Sequence, residues 1–109
     1  MGFLFAPPTS SRFSIAMPAY ITVDFTPTDK ESLQRYGAAV PATLAKFSGE
    51  YLVKGPLEQL LGEPVFQTQV ILAFPSRELA SAWYHSPDYQ ALVPLRDAAI
   101  RPQFRLVGG

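Results

Sequence analysis

TQVILAFPSRELASAWYHSPDYQALVPLR, Thr68 to Arg96, changes its hydrophobic grammar in mid-course. In TQVILAF both alternating sets are apolar, Val70, Leu72 and Phe74 against Ile71 and Ala73. It therefore reads as a strand covered on both faces. From Ser76 the period lengthens to that of a helix. Ser76 is the expected cap, Glu78 lies near the start, and Leu79, Ala80, Trp83 and Tyr84 supply the apolar positions. Ser86-Pro87-Asp88 repeats the start signal: a capping hydroxyl, proline at the first helical position and an acid in the first turn. A third helix is expected from Pro87 towards Ile100, bent at Pro94.

Working outward, YITVDF (residues 20–25) alternates as a half-buried strand, with Ile21, Val23 and Phe25 on one side and Tyr20, Thr22 and Asp24 on the other. Thr28 with Glu31 has the form of a capping box, with Asp29 in the first turn. Leu33, Tyr36, Val40, Leu44 and Phe47 then mark one helical stripe. Pro41 should kink that helix near Gly37, and Gly49 should end it by adopting a positive φ. Tyr51 to Lys54 reads as a second strand closed by Gly55-Pro56, and the LEQLLG segment as a helical turn or bulged strand. Gln103 to Val107 makes the last strand.

The order β-α-β-β-α-α-β fits an α+β, ferredoxin-like sandwich: an antiparallel four-stranded sheet with helices on one face. Helices cover one sheet face only, while TQVILAF is apolar on both. A second copy of the chain is the expected cover, giving a homodimer with a partly polar interior of Thr22, Asp24 and Arg105.

Composition narrows the partners. Hydrophobic residues at 48% and charged residues at 17% describe a chain that folds, and 109 residues suffice for one domain. Nine basic and nine acidic residues cancel with no Lys/Arg cluster, so nucleic acid is not an expected partner. No apolar run is long enough to span a bilayer, so neither is a membrane. The absence of cysteine removes thiolate nucleophiles and thiolate metal sites. Residues 1–16 make a poor signal peptide and are expected to be a flexible extension ahead of a domain at 17–109, in a cytoplasmic protein.

MPAYITVD (17–24), VPATLAKFSGEYLVKGP (40–56) and FPSRELASAWYHSPDYQALVPLR (74–96) resemble the domain-of-unknown-function family 1330. Ser48-Gly49 stands where many of its members have two glycines, and Lys54 where many have arginine. The resemblance runs over residues 17–109. It implies a ferredoxin-like fold and a dimeric α/β barrel in which two sheets pair face to face. It implies no activity. Related barrels include cofactor-independent monooxygenases, lactone isomerases and haem-handling proteins, an analogy of fold alone.

The residues with chemical potential are few. His85, the single histidine, could act as general acid or base, or simply bond the carbonyls at a helix end. No second histidine or cysteine supports a metal, and neither metal nor other cofactor is expected. Trp83, Tyr84 and Tyr89 read as packing, with Trp83 also a ligand-binding candidate. Arg96, on a helix lined with Leu92, Leu95 and Ala99, must pair with an acid such as Asp88 or Asp24 or offer its fork to a ligand carboxylate. Asp24 is a proton acceptor if enclosed, and Tyr36 could orient a substrate oxygen. GPLEQLLGE lacks the lysine of a phosphate loop, and no serine lies in a GxSxG turn. The first expectation is a homodimeric small-ligand-binding domain, with a cofactor-independent enzyme as its catalytic extension: an acid–base pair drawn from Asp24, Tyr36, His85 and Arg96, in which Arg96 holds an anionic or enolate oxygen and Asp24 or His85 takes the proton. The alternative is a structural or interaction module with a sealed polar interior. Haem handling through His85 is a third reading.

Overall fold

The computed structural model describes residues 17–109, so the expected extension at 1–16 lies outside the described residues. Eight elements follow one another. They are β1 (Ala19–Pro27), α1 (Lys30–Ala45), β2 (Glu50–Pro56), β3 (Thr68–Phe74), α2 (Arg77–His85), α3 (Pro87–Gln90), α4 (Val93–Ala99) and β4 (Ile100–Gly108). The strands form one antiparallel sheet in the order β2-β3-β1-β4. The register sets Ile21 opposite Leu72 and Leu106, and Val23 opposite Val70 and Phe104. Those side chains share the face on which the helices pack, and with Val40, Leu44, Phe74 and Trp83 they make the core. This is a ferredoxin-like α+β sandwich. The opposite face carries Thr22 beside Ile71 and Arg105, and Asp24 beside Gln69 and Gln103.

Several boundaries differ from the sequence reading. The N-cap of α1 is Asp29, whose carboxylate accepts from the Ser32 amide at 2.9 Å. Thr28 is drawn away because its hydroxyl donates to Ala98 O and its amide to Ala99 O, tying the start of α1 to the end of α4. α1 continues through Pro41 to Ala45. The expected helix at 87–100 is two helices: it breaks at Ala91-Leu92, and Pro94 starts the second helix instead of bending a single one. β2 runs on through Gly55-Pro56, and residues 57–67 form neither helix nor strand, leaving Leu60 and Leu61 89% and 91% exposed.

At the end of α1 the positive φ belongs to Ser48, at 59°, and not to Gly49. Gly49 is required for a different reason, since a Cβ there would lie 2.5 Å from Phe74 Cε2. Gly37, on the exposed side of α1, faces open space. Three substitutions separate these roles in urea denaturation. Gly49→Ala should destabilise by about 1–3 kcal/mol through overpacking. Ser48→Gly should stabilise by about 1 kcal/mol by relieving the left-handed conformation. Gly37→Ala should stabilise by about 0.5–1 kcal/mol, as alanine does in place of a helical glycine. A harmless Gly49→Ala would remove the close-packing account.

Candidate functional site

Ser86 organises the helical side of the sheet. Its Oγ donates to Trp83 O at 2.8 Å, ending α2, and accepts from the Tyr89 amide at 3.2 Å, starting α3. One hydroxyl thus turns the chain between two helices and sets the Trp83 and Tyr89 rings 4.3 Å apart. Trp83 Nε1 donates to Thr43 Oγ1 at 2.9 Å, and Thr43 in turn donates to Val40 O, which fixes α1 against α2. That seating brings Tyr36 of α1 to Tyr89, hydroxyl to hydroxyl at 2.7 Å. From α4, Arg96 Nη1 reaches Tyr84 Oη at 3.1 Å and Tyr89 Oη at 3.4 Å, with its guanidinium carbon 5.2 Å from the Phe104 ring centre.

The hydrogens of this cluster have a direction. A guanidinium can only donate, so the Tyr89 oxygen accepts. Tyr89 is 0% exposed, and its own proton needs an acceptor, which Tyr36 Oη provides. The Tyr36 proton is then left for the space that Tyr36 lines. The chain from Arg96 through Tyr89 to Tyr36 is a polarised relay ending in one strengthened donor. Burial pushes the Tyr36 and Tyr89 phenols above their ordinary value, and neither is a base near neutrality. Burial works against the Arg96 charge, but the Tyr89 and Tyr84 oxygens and Asp97 hold it firmly protonated.

The space beside Tyr36 is a cavity of ≈ 60 Å³ between α1 and the sheet, bounded by Val23, Val40, Val70, Leu72, Trp83 and Phe104. A single water needs only about 10–15 Å³ on such a scale. Tyr51, Lys54 and Gly37 stand at its edge and also line an outer groove of ≈ 330 Å³.

Tyr36 and Trp83 therefore share one cavity, and Arg96 stands behind them, acting through Tyr89. Arg96 pairs with Asp97, at 3.1 Å, and with neither Asp88 nor Asp24. Asp88 pairs instead with Lys46. Asp24 lies on the opposite face of the sheet, where its carboxylate accepts from Arg105 Nη2 at 2.8 Å and Gln69 Nε2 at 2.6 Å. His85 is exposed, and its Nδ1–H donates to Ser81 O at 3.0 Å. It lines a separate groove of ≈ 220 Å³ with Ser81, Tyr84 and Arg105. The four residues from which an acid–base pair was expected, Asp24, Tyr36, His85 and Arg96, are thus distributed over three places. Among the described residues no cluster of His, Asp or Glu could hold a metal, and no helix is long and apolar enough to cross a membrane. Sequence reasoning missed Tyr89 as the hinge of the relay and Tyr51 and Lys54 as cavity residues. The SP-x-Y spacing carried the first signal, and nothing in the linear pattern carried the second.

A family model described as Domain of unknown function (DUF1330) matches residues 18–109. The chain belongs to the DUF1330 family. Solved structures share the fold of this DUF1330 domain at low identity. A protein of unknown function from Rhodopseudomonas palustris is 17% identical over 93% of each chain, with a TM-score of 0.68. SnoaB, a cofactor-independent oxygenase from Streptomyces nogalater, is 12% identical over 84% of this chain and 91% of its own, with a TM-score of 0.59. A dimeric ferredoxin-like protein of unknown function from Thermobifida fusca is 14% identical over 87% and 92%, with a TM-score of 0.58. No curated protein matches the DUF1330 chain.

The raised phenols give a direct check. The folded state holds their protons more tightly than the unfolded chain does. Their contribution to stability is fully present below the ordinary phenol value of about 10 and is lost as pH rises through the raised values. Tyr36, Tyr51 and Tyr89, three of the five tyrosines, are so affected. Absorbance at the tyrosinate band should show Tyr36 and Tyr89 ionising only as the protein unfolds, and Tyr89→Phe should remove one of those late steps. Five equivalent titrations in folded protein would contradict the relay.

Proposed function

We propose that this DUF1330 protein is a homodimeric domain that binds a small, largely apolar ligand in the cavity between α1 and the sheet. The observation that carries the reading is the hydrogen-bonded series Arg96–Tyr89–Tyr36, read here as a one-way relay. It presents a donor, backed by a buried cation, to a chamber with apolar walls and with Tyr51 and Lys54 at its edge. Such a site suits a ligand oxygen that is a carbonyl, or a phenol or enol able to bear negative charge. Arg96 is a positioning residue in this scheme, Tyr36 the group that meets the ligand, and Trp83 part of the wall. The enzymatic extension follows the same geometry: a donor at Tyr36 would stabilise an enolate or phenolate. SnoaB is a cofactor-independent oxygenase of the same fold, and at 12% identity it lends this chain only a precedent for architecture.

The dimer is proposed on the uncovered face. Ile71 and Val53 sit there beside the Asp24–Arg105–Gln69 network, and apolar residues flanking a satisfied ion pair suit a self-complementary interface. Asp24 belongs to that interface in this reading, and His85 takes no part in the ligand chamber. A structural or interaction module is the second reading. It is favoured by one observation: among the described residues no buried side-chain polar atom lacks a partner.

Two measurements test these statements. Native mass spectrometry should give twice the 12.0 kDa chain mass, and Ile71→Arg should return the protein to a single chain; a monomeric wild type removes the dimer. Trp83 is the single tryptophan, so its emission reports the chamber directly. Titration with 4-hydroxybenzamide should change that emission, and Tyr36→Phe should weaken binding about tenfold, the worth of one good hydrogen bond. A silent titration, confirmed by calorimetry, would leave the structural module.

A further inference from the structure

β2 contains a β-bulge whose effect is directional. Its register against β3 shifts between Tyr51, opposite Leu72, and Val53, opposite Ile71. In a regular strand Tyr51 and Lys54, three residues apart, would point to opposite faces. The extra residue restores them to one face. Tyr51 lies opposite Leu72 and Lys54 opposite Val70, both core residues on the helical side. The bulge therefore delivers a phenol and an ammonium to the edge of the same cavity.

Three further observations describe that edge. The chamber and the outer groove share Gly37, Tyr51 and Lys54, so these residues stand where one opens into the other. Gly37 meets nothing where a side chain would begin, leaving the helix side of the opening clear. The ion pairs Lys46–Asp88, Arg96–Asp97 and Arg105–Asp24 engage other cations, and Lys54 belongs to none of them. A cation outside those pairs, beside a phenol at the mouth of an apolar chamber, is complementary to an anion attached to an apolar body.

Building on the proposed chamber, we infer that Lys54 and Tyr51 form the specificity site for a carboxylate, and that the ligand class is a small aromatic or apolar acid. Its carboxylate sits at Lys54 in the mouth, its body crosses the chamber wall of Trp83 and Phe104, and an oxygen at its far end accepts from Tyr36. The outer groove of ≈ 330 Å³ lies within the ordinary size of small-molecule sites, about 300–1,000 Å³, and the inner chamber takes only the slim end.

The test compares 4-hydroxybenzoate with 4-hydroxybenzamide, which share ring and hydroxyl and differ in charge. Wild-type protein should bind the benzoate at least tenfold more tightly by Trp83 emission or calorimetry. Raising salt from about 0.1 to about 1 M should narrow that gap, because the pair is exposed. Lys54→Met should abolish the preference while leaving the circular dichroism unchanged, and Lys54→Arg should keep it. Gly37→Leu should weaken both probes by closing the mouth. Equal affinity for the two probes, or a preference that survives Lys54→Met, overturns the Lys54 assignment alone. Failure of both probes to bind overturns the chamber itself, and this inference with it.

Discussion

A guanidinium held by phenol oxygens is the constraint around which the helical layer of this domain is arranged. The Arg96 side chain is 12% exposed, and on the inner side it meets Tyr84 and Tyr89 where a carboxylate would have neutralised it. A cation in that position is tolerable only if its donors are satisfied and its surroundings are polarisable. The Phe104 face and the two phenols meet both needs, and Asp97 takes the remaining contact at the surface. Each of the four described helices contributes: α1 supplies Tyr36, α2 Tyr84, α3 Tyr89 and α4 the arginine itself. The breaks between the last three helices are what allow their side chains to converge.

Much of this was legible in sequence because it rests on local grammar. TQVILAF is a strand at the residues expected, and the Ser76 and Ser86 caps start helices where their spacing places them. Both are decided by atoms a few residues apart. The misreadings share a different origin. Thr28 loses its capping role because a carbonyl seventy residues away claims its hydroxyl. Gly49 answers to a phenylalanine on β3, and not to its own backbone. The family resemblance pointed one residue earlier: many members have glycine where this chain has Ser48, and Ser48 is the residue with positive φ.

The candidate residues divide in the same way. Tyr36, Trp83 and Arg96 were identifiable as aromatic or charged residues on apolar faces, and they do converge. Asp24 could not be joined to them by any sequence argument, because one sheet lies between, and strand parity alone sends it to the other side. Lys54 was hidden by a single irregularity, since alternation read through an undetected bulge assigns the wrong face to every residue beyond it. The shared fold with an oxygenase could not compensate, for architecture persists far beyond the reach of side-chain chemistry.

β1 lies second from one edge of the sheet, flanked by β3 and by β4. Its partner on one side is thus the last strand of the domain, and Thr28 bonds carbonyls at the end of α4. During synthesis the first strand to emerge keeps one side bare until β4 has followed it out. Closing that side joins segments far apart in sequence, the slow kind of contact in small folds. β1, β3 and β2 can pair first, and β4 completes the sheet at its edge only once it has left the ribosome.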